Sequence, residues 1–151
     1  MARPSEPPYV AVAGAGDASP AMLEAAAEVG ALLARHGAVL VTGGLGGVME
    51  AACRGACEAG GTTLGILPGS DRGAANPWVT VAVATGLGQL RNGLVVRAAD
   101  AVIAIGGEYG TLSEIALALK AGKRVVGLGT WEIRGMRCAE NPAAAVALAL
   151  A

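Results

Sequence analysis

Short apolar runs alternate with alanine-rich segments along nearly the whole chain, and glycine-rich turns separate them. This alternation is typical of βαβ units, in which helices join parallel strands across the faces of a sheet. The predicted strands are residues 9–13, 38–41, 63–67, 78–84, 101–105 and 124–128. The predicted helices are residues 21–36, 50–59, 89–99, 111–121 and 142–150, with an irregular segment at 131–140.

The fold class that follows is α/β, a three-layer Rossmann-like open parallel sheet of six or seven strands with helices on both faces. A length of 151 residues favours one domain. We expect residues 9–151 to form that domain. Residues 1–8, which include three prolines, are expected to be a disordered tail.

Composition excludes several classes of function. Eleven Lys and Arg residues nearly balance twelve Asp and Glu residues, so nucleic acid is not an expected partner. Charges or glycines interrupt every apolar run before the roughly 18 residues that span a membrane, and the first residues lack the apolar region of a signal peptide. One histidine and three cysteines without a CxxC pair predict neither a metal site nor a disulfide framework. We therefore expect a cytoplasmic protein.

Three strand-to-helix turns are candidates for ligand binding. They contain Gly14 and Gly16 after the first strand, residues 42–49 after the second, and residues 106–111 after the fifth. Right-handed crossovers bring such turns to one edge of a parallel sheet, where backbone amides and helix N-termini favour an anion such as phosphate. The alternative is that these glycines only allow sharp turns.

Arg91 and Glu114 are the charged residues most suited to chemistry at that edge. Arg91 is predicted in the first turn of a helix, where the dipole disfavours a cation, so it needs a carboxylate or a ligand phosphate as partner. Glu114 follows Thr111 by three residues, which fits a capping box but also a carboxylate for acid–base chemistry. Glu108 places a negative charge within the third turn, which argues against a tight phosphate site there.

These residues resemble motifs of the Lonely-guy-like (SLOG) superfamily of Rossmann-type proteins. Its P-G-G-x-G-T-x-x-E signature is similar to G-G-E-Y-G-T-L-S-E at residues 106–114. Its G-G-x-x-G-x-M segment matches residues 43–49, and its arginine pair matches Arg91 and Asn92. Gly106 and Glu108 replace a proline and a glycine of the signature. The residues of these motifs are more similar to those of a subgroup that resembles molybdenum-cofactor carrier proteins.

The resemblance implies a cleft for a small phosphorylated ligand, with phosphate, nucleotide or molybdopterin as possible occupants and no required cofactor. It implies no metal site, and it implies a homodimer or a higher homo-oligomer. The residues expected to bind the ligand are Gly14, Gly16, Thr42, Gly43, Gly44, Gly46, Gly47, Val48, Met49, Arg91, Asn92, Gly106, Gly107, Glu108, Tyr109, Gly110, Thr111 and Glu114.

Two functions remain open from the sequence. The first, which the similarity to the carrier subgroup and the departures at Glu108 and Asn92 favour, is a binding or carrier protein for a nucleotide-like or pterin ligand. The second is a phosphoribohydrolase that releases a free base and ribose 5-phosphate from a nucleoside 5′-monophosphate. In that case Arg91 and Glu114 would be catalytic, because they match the residues that support N-glycoside hydrolysis in the cytokinin-activating branch.

Overall fold

The computed structural model describes residues 5–151 and contains a seven-stranded parallel sheet. The strands are β1 (Tyr9–Gly14), β2 (Val39–Thr42), β3 (Thr63–Leu67), β4 (Val81–Ala84), β5 (Ala101–Ile105), β6 (Arg124–Leu128) and β7 (Arg137–Cys138). The helices are α1 (Pro20–Arg35), α2 (Val48–Glu58), α3 (Asn92–Ala98), α4 (Tyr109–Lys120) and α5 (Pro142–Leu150). The strand order β4-β3-β2-β1-β5-β6-β7 confirms the predicted open parallel sheet.

The two faces of the sheet carry separate apolar layers because successive side chains of a strand point to opposite faces. In β1, Val10 and Val12 pack in the layer that contains α1, α2 and α5. Ala11 and Ala13 pack in the layer that contains α3 and α4. The fold therefore has the three layers expected from the sequence.

Local signals in the sequence correctly predict several helix ends. The hydroxyl oxygen of Ser19 accepts a hydrogen bond from the Met22 amide at 3.3 Å, and Pro20 is the first residue of α1. Gly37 follows α1 with φ +74°, as expected for a glycine beyond a helix C-terminus. These contacts involve only neighbouring residues, and they set the two ends of α1.

Other boundaries differ from the prediction. The capping box at Thr111 is wrong, because α4 already begins at Tyr109 and Glu108 occupies the N-cap position without a side-chain cap bond. The predicted helix at 89–99 divides into a 3₁₀ turn, Gly88–Arg91, followed by α3, so Arg91 precedes the α-helix. The segment predicted as irregular at 131–140 contains β7, which pairs with β6.

Part of the predicted N-terminal tail lies within the described residues. Residues 5–8 are exposed and belong to no helix or strand, and β1 begins at Tyr9. The rest of the predicted tail, residues 1–4, lies outside the described residues. Among residues 5–151, no helix is both long enough and apolar enough to cross a bilayer.

Two glycines allow α1 and α2 to pack closely. A Cβ atom on Gly30 would lie 2.0 Å from the carbonyl oxygen of Ala52, and one on Gly55 would lie 1.9 Å from that of Ala27. Both distances are far below van der Waals contact, so the helix backbones touch at these positions. This packing fixes α2, and with it the turn that precedes α2 at the edge of the sheet.

Candidate functional site

A cleft of about 810 Å³ opens at the carboxyl edge of the sheet. The chain runs from β1 through β4 in one direction and resumes with β5 on the other side of β1, so the strand order reverses between β1 and β5. Ligands of open α/β sheets bind at this kind of reversal. The cleft is lined by Gly16, Leu45, Gly46, Met49, Gln89, Leu90, Arg91, Asn92, Gly93, Glu108, Tyr109, Gly110, Thr111, Ser113, Glu114 and Leu117.

The structure brings many of the predicted site residues together in this cleft. Those that line it are Gly16, Gly46, Met49, Arg91, Asn92, Glu108, Tyr109, Gly110, Thr111 and Glu114. The predicted residues that lie behind the lining are Gly14, Thr42, Gly43, Gly44, Gly47, Val48, Gly106 and Gly107. Segments about 100 residues apart in the sequence thus form one cavity.

The glycines behind the lining allow the turns to pack against each other. A Cβ atom on Gly14 would lie 2.4 Å from the Val48 side chain, and one on Gly47 would lie 2.3 Å from the carbonyl oxygen of Ala15. The Val48 amide donates a hydrogen bond to that same carbonyl at 3.1 Å. The first amide of α2 is therefore satisfied by the protein and faces the turn after β1.

Other amides in the second turn remain available. Thr42 Oγ1 accepts a hydrogen bond from the Gly44 amide at 3.0 Å, which shapes the start of the turn. Among the described residues, the amides of Leu45, Gly46 and Gly47 have no hydrogen-bond acceptor. Two of these three residues line the cleft, so their amides are candidates for binding an anion.

Arg91 is almost completely buried, with 6% of its surface exposed, at the inner end of the cleft. Its Nε donates to the Ile66 carbonyl at 2.9 Å, and Nη2 donates to the Gly43 carbonyl at 3.4 Å. Nη1 donates to the side-chain oxygen of Asn92. All three partners are neutral, so the guanidinium is held in place while its charge stays available to an anion.

Asn92 and Ser113 extend the contacts of Arg91 to the first turn of α4. Asn92 Nδ2 donates to Ser113 Oγ at 3.2 Å, and the Ser113 hydroxyl donates to the Gly110 carbonyl at 2.6 Å. Asn92 is 4% exposed. Both polar atoms of a buried amide are therefore satisfied, as buried polar groups require.

Glu114 is a partly buried carboxyl on the wall of the cleft. Burial raises its pKa to about 7, and the nearby charge of Arg91 opposes that rise. Burial also lowers the pKa of Arg91, while the Glu114 charge acts to raise it. Glu114 accepts none of the three hydrogen bonds of Arg91. The pair therefore interacts through its charges, with Glu114 close to half ionised near neutral pH.

At residue 106, in the third turn, the backbone has a conformation that the proline of the family signature could not adopt. Gly106 has φ +56°, and a Cβ atom there would lie 2.6 Å from Met22 Sδ. Proline, which the signature places here, has φ fixed near −65° and could not adopt this conformation. Glu108 and Tyr109 are exposed at the mouth of the cleft, and Tyr109 is 86% exposed.

Sequence reasoning missed six residues of the lining. They are Leu45, Gln89, Leu90, Gly93, Ser113 and Leu117. Ser113 and Leu117 follow Tyr109 at four-residue intervals, so helical spacing could have placed them on the same face of α4. Gln89, Leu90 and Gly93 flank the Arg91–Asn92 pair, but no pattern distinguishes them from other helical residues.

The three cysteines lie outside the lining of the cleft. Cys53 is buried with its sulfur 3.5 Å from Thr42 Oγ1, and burial raises the pKa of its thiol. Cys57 and Cys138 are exposed, and all three cysteines are free thiols. Within residues 5–151, no group of three or more His, Cys, Asp and Glu side chains is arranged to bind a metal ion.

Comparison with known proteins finds close relatives over almost the whole chain. Residues 7–149 match the SLOG cluster4 family. The chain is 46% identical to an uncharacterised protein of Archaeoglobus fulgidus over 138 residues, which cover 91% of each protein. It is 38% identical to the molybdenum cofactor binding protein of Rippkaea orientalis, with a TM-score of 0.91 and 96% of each chain covered. It is 39% identical to the Moco carrier protein of Chlamydomonas reinhardtii, with a TM-score of 0.87 and 94% of each chain covered.

Proposed function

The chain belongs to the SLOG cluster4 family, and we propose that it binds and carries a phosphorylated pterin such as molybdenum cofactor. The observation that carries this proposal is the near full-length similarity to two proteins named for binding or carrying that cofactor. The cofactor would be cargo, held in the cleft at the carboxyl edge of the sheet without being chemically changed.

The lining of the cleft suits such a ligand. A volume of about 810 Å³ lies within the usual range for small-molecule sites. Arg91 uses three of its five N–H groups within the protein, so two remain for a phosphate, together with the free amides of residues 45–47. The residues at 108–114 would then face the ring of the ligand.

Apolar and aromatic side chains offer contacts for a flat ring. Leu45, Met49, Leu90 and Leu117 line the cleft beside Tyr109. An aromatic ring and aliphatic side chains bind planar ligands by stacking and by burial of apolar area. This combination of one cation, free amides and apolar walls is what an anionic, ring-containing ligand requires.

The test is to incubate the purified protein with molybdenum cofactor without oxygen and to measure retained pterin by fluorescence after gel filtration. We expect retention by the natural protein and at least a tenfold loss in Arg91→Ala, since a charge-assisted contact to phosphate would be removed. Arg97→Ala is the matched control, because Arg97 is exposed and lies outside the cleft lining. Failure of the natural protein to retain any cofactor would refute the proposal.

Hydrolysis of a nucleoside monophosphate is the second candidate function. The observation in its favour is that Glu114, whose pKa is raised to about 7, shares the cleft with Arg91. A carboxyl group with that pKa could act as a general acid near neutral pH. Incubation with a panel of nucleoside 5′-monophosphates, followed by chromatography for free base, separates the two functions. Base release that Glu114→Ala abolishes would refute a pure carrier.

A homo-oligomer in the cytoplasm is also part of the proposal. Leu90, Tyr109 and Leu117 are exposed at the rim of the cleft, with 79%, 86% and 42% of their surfaces accessible. Exposed apolar groups of this kind often mark contact surfaces. We expect a dimer or larger assembly by light scattering at micromolar concentration, and a monomer there would contradict this expectation. Fractionation of cells would test the location.

A further inference from the structure

We propose that Asn92 and Ser113 are positioning residues that hold the Arg91 guanidinium in one orientation and connect it to the first turn of α4. Their importance for cargo binding rests on the proposed function, whereas their effect on Arg91 does not. Their hydrogen bonds form a chain in which each group donates to the next. The chain runs from Arg91 Nη1 to Asn92 Oδ1, from Asn92 Nδ2 to Ser113 Oγ, and from the Ser113 hydroxyl to the Gly110 carbonyl.

The direction of this chain explains why an asparagine is suited to position 92. The side chain must accept a hydrogen bond from Arg91 and donate one to Ser113. An amide does both, whereas a carboxylate only accepts and an aliphatic side chain does neither. Because Asn92 is 4% exposed, water cannot readily replace either contact.

The neutrality of the chain matters for an anionic ligand. A carboxylate partner would orient Arg91 but would also neutralise its charge. Asn92 and the carbonyls of Ile66 and Gly43 orient the guanidinium and leave its charge uncompensated by a direct ion pair. The last acceptor, Gly110, lies in the first turn of α4, which also lines the cleft. The cation and the N-terminal turn of α4 are thus held in a fixed relation to the same ligand.

Three variants test this role, with inorganic pyrophosphate as an anionic probe that has no glycosidic bond. We expect Asn92→Ala to weaken pyrophosphate binding by about tenfold, as expected for loss of a hydrogen bond to a charged group. We expect Ser113→Ala to weaken it by about threefold, because Ser113 bonds only to the neutral groups of Asn92 and Gly110. We expect Asn92→Asp to weaken it by about a hundredfold, because the new carboxylate would pair with Arg91. Isothermal titration calorimetry at pH 7.5 measures all three affinities.

Asn92→Asp tests whether position 92 must stay neutral. Asp has nearly the shape of Asn, so a purely structural role would make Asn92→Asp milder than Asn92→Ala in stability. The added carboxylate lines the cleft and pairs with Arg91, so Asn92→Asp should be the weaker binder even where its melting temperature is the higher of the two. Pyrophosphate binding by Asn92→Asp equal to or tighter than that by Asn92→Ala would overturn the proposal.

Asn141→Ala and Ser70→Ala are matched controls. Asn141 caps α5 by accepting a hydrogen bond from the Ala144 amide at 2.8 Å, and neither residue lines the cleft. We expect Asn141→Ala to lower the melting temperature without changing pyrophosphate affinity. If Asn141→Ala weakened pyrophosphate binding as much as Asn92→Ala does, general destabilisation would explain both results, and the positioning role would be contradicted.

A measurement without ligand tests the same chain. Hydrogen exchange of the Arg91 side-chain N–H groups, followed by NMR, should accelerate at least threefold in Ser113→Ala, although Ser113 donates nothing to Arg91 and accepts nothing from it. Unchanged exchange would overturn the inference even if the protein carries the cofactor. Conversely, accelerated exchange and pyrophosphate binding without cofactor retention would support the inference and contradict the proposed function. A natural protein that does not bind pyrophosphate would contradict the anion-binding part of the inference.

Discussion

Replacing Glu114 by glutamine is expected to stabilise the protein strongly at neutral and alkaline pH but only slightly at acidic pH. Burial raises the pKa of this carboxyl from 4.5 to about 7 in the folded protein. In the unfolded chain, the carboxyl ionises near its ordinary pKa. The folded state therefore binds the proton more tightly, and the natural protein loses stability as the pH rises between these two values.

The size of the effect follows from the two pKa values. Their difference corresponds to about 3 kcal/mol of unfolding free energy. The natural protein has this stability in full below pH 4.5 and has lost most of it by about pH 7. Water in the open cleft makes this an upper bound. Glutamine stays neutral, so Glu114→Gln should be more stable than the natural protein by up to about 1 kcal/mol at pH 5 and about 3 kcal/mol at pH 8. At roughly 2–4 °C per kcal/mol for this chain length, the melting temperatures should differ by roughly 6–12 °C at pH 8.

Thermal unfolding monitored by circular dichroism from pH 4.5 to pH 9 measures this difference. Glu108→Gln is the matched control, because it removes an exposed carboxyl from the same cleft and is expected to change the melting temperature little. A difference between Glu114→Gln and the natural protein that is the same at pH 5 and pH 8 would show that burial does not raise the pKa of Glu114.

Two other substitutions test the packing that forms the cleft. Gly55→Ala should lower the unfolding free energy by more than about 2 kcal/mol in urea denaturation, because its Cβ would lie 1.9 Å from the Ala27 carbonyl oxygen. Gly93 lies in α3, and a Cβ atom there would have no neighbouring atom within 4 Å, so Gly93→Ala should raise the unfolding free energy by about 0.5–1 kcal/mol. Equal effects of the two substitutions would refute this reasoning. Gly43→Ala would place a Cβ 2.6 Å from Arg91 Nη2, so pyrophosphate binding should fall by about tenfold in titration calorimetry, and unchanged binding would show that Arg91 needs no fixed position.

The order of elements could be predicted because each element depends on local patterns. Alternating apolar runs, Ser19 with Pro20, and Gly37 identify strands and helix ends without knowledge of the tertiary structure. Parallel strands then bring the glycine-rich turns to one edge, since right-handed crossovers leave little choice. The three turns do contribute residues to one cleft at that edge.

The boundaries near the site were harder to predict. Thr111 followed by Glu114 satisfies the pattern of a capping box, yet α4 begins two residues earlier and Thr111 lies inside it. Thr111 is 3% exposed and packs against Gly107, where a Cβ atom would lie 2.6 Å from Thr111 Cβ. Burial against a neighbouring turn decided the position of this threonine, and a pattern of four residues carries no information about burial.

The sequence by itself determined the fold class, the edge at which the turns meet and the presence of Arg91 and Glu114 among its candidate residues. Only the tertiary structure decided what Arg91 contacts, because Ile66 and Gly43 lie 25 and 48 residues away and bind it through backbone carbonyls that any residue could supply. Only the tertiary structure raised the pKa of Glu114, since desolvation depends on the packing of the whole cleft. Periodicity is a local property of the chain, whereas hydrogen bonding and burial at the site arise between segments that meet only after folding.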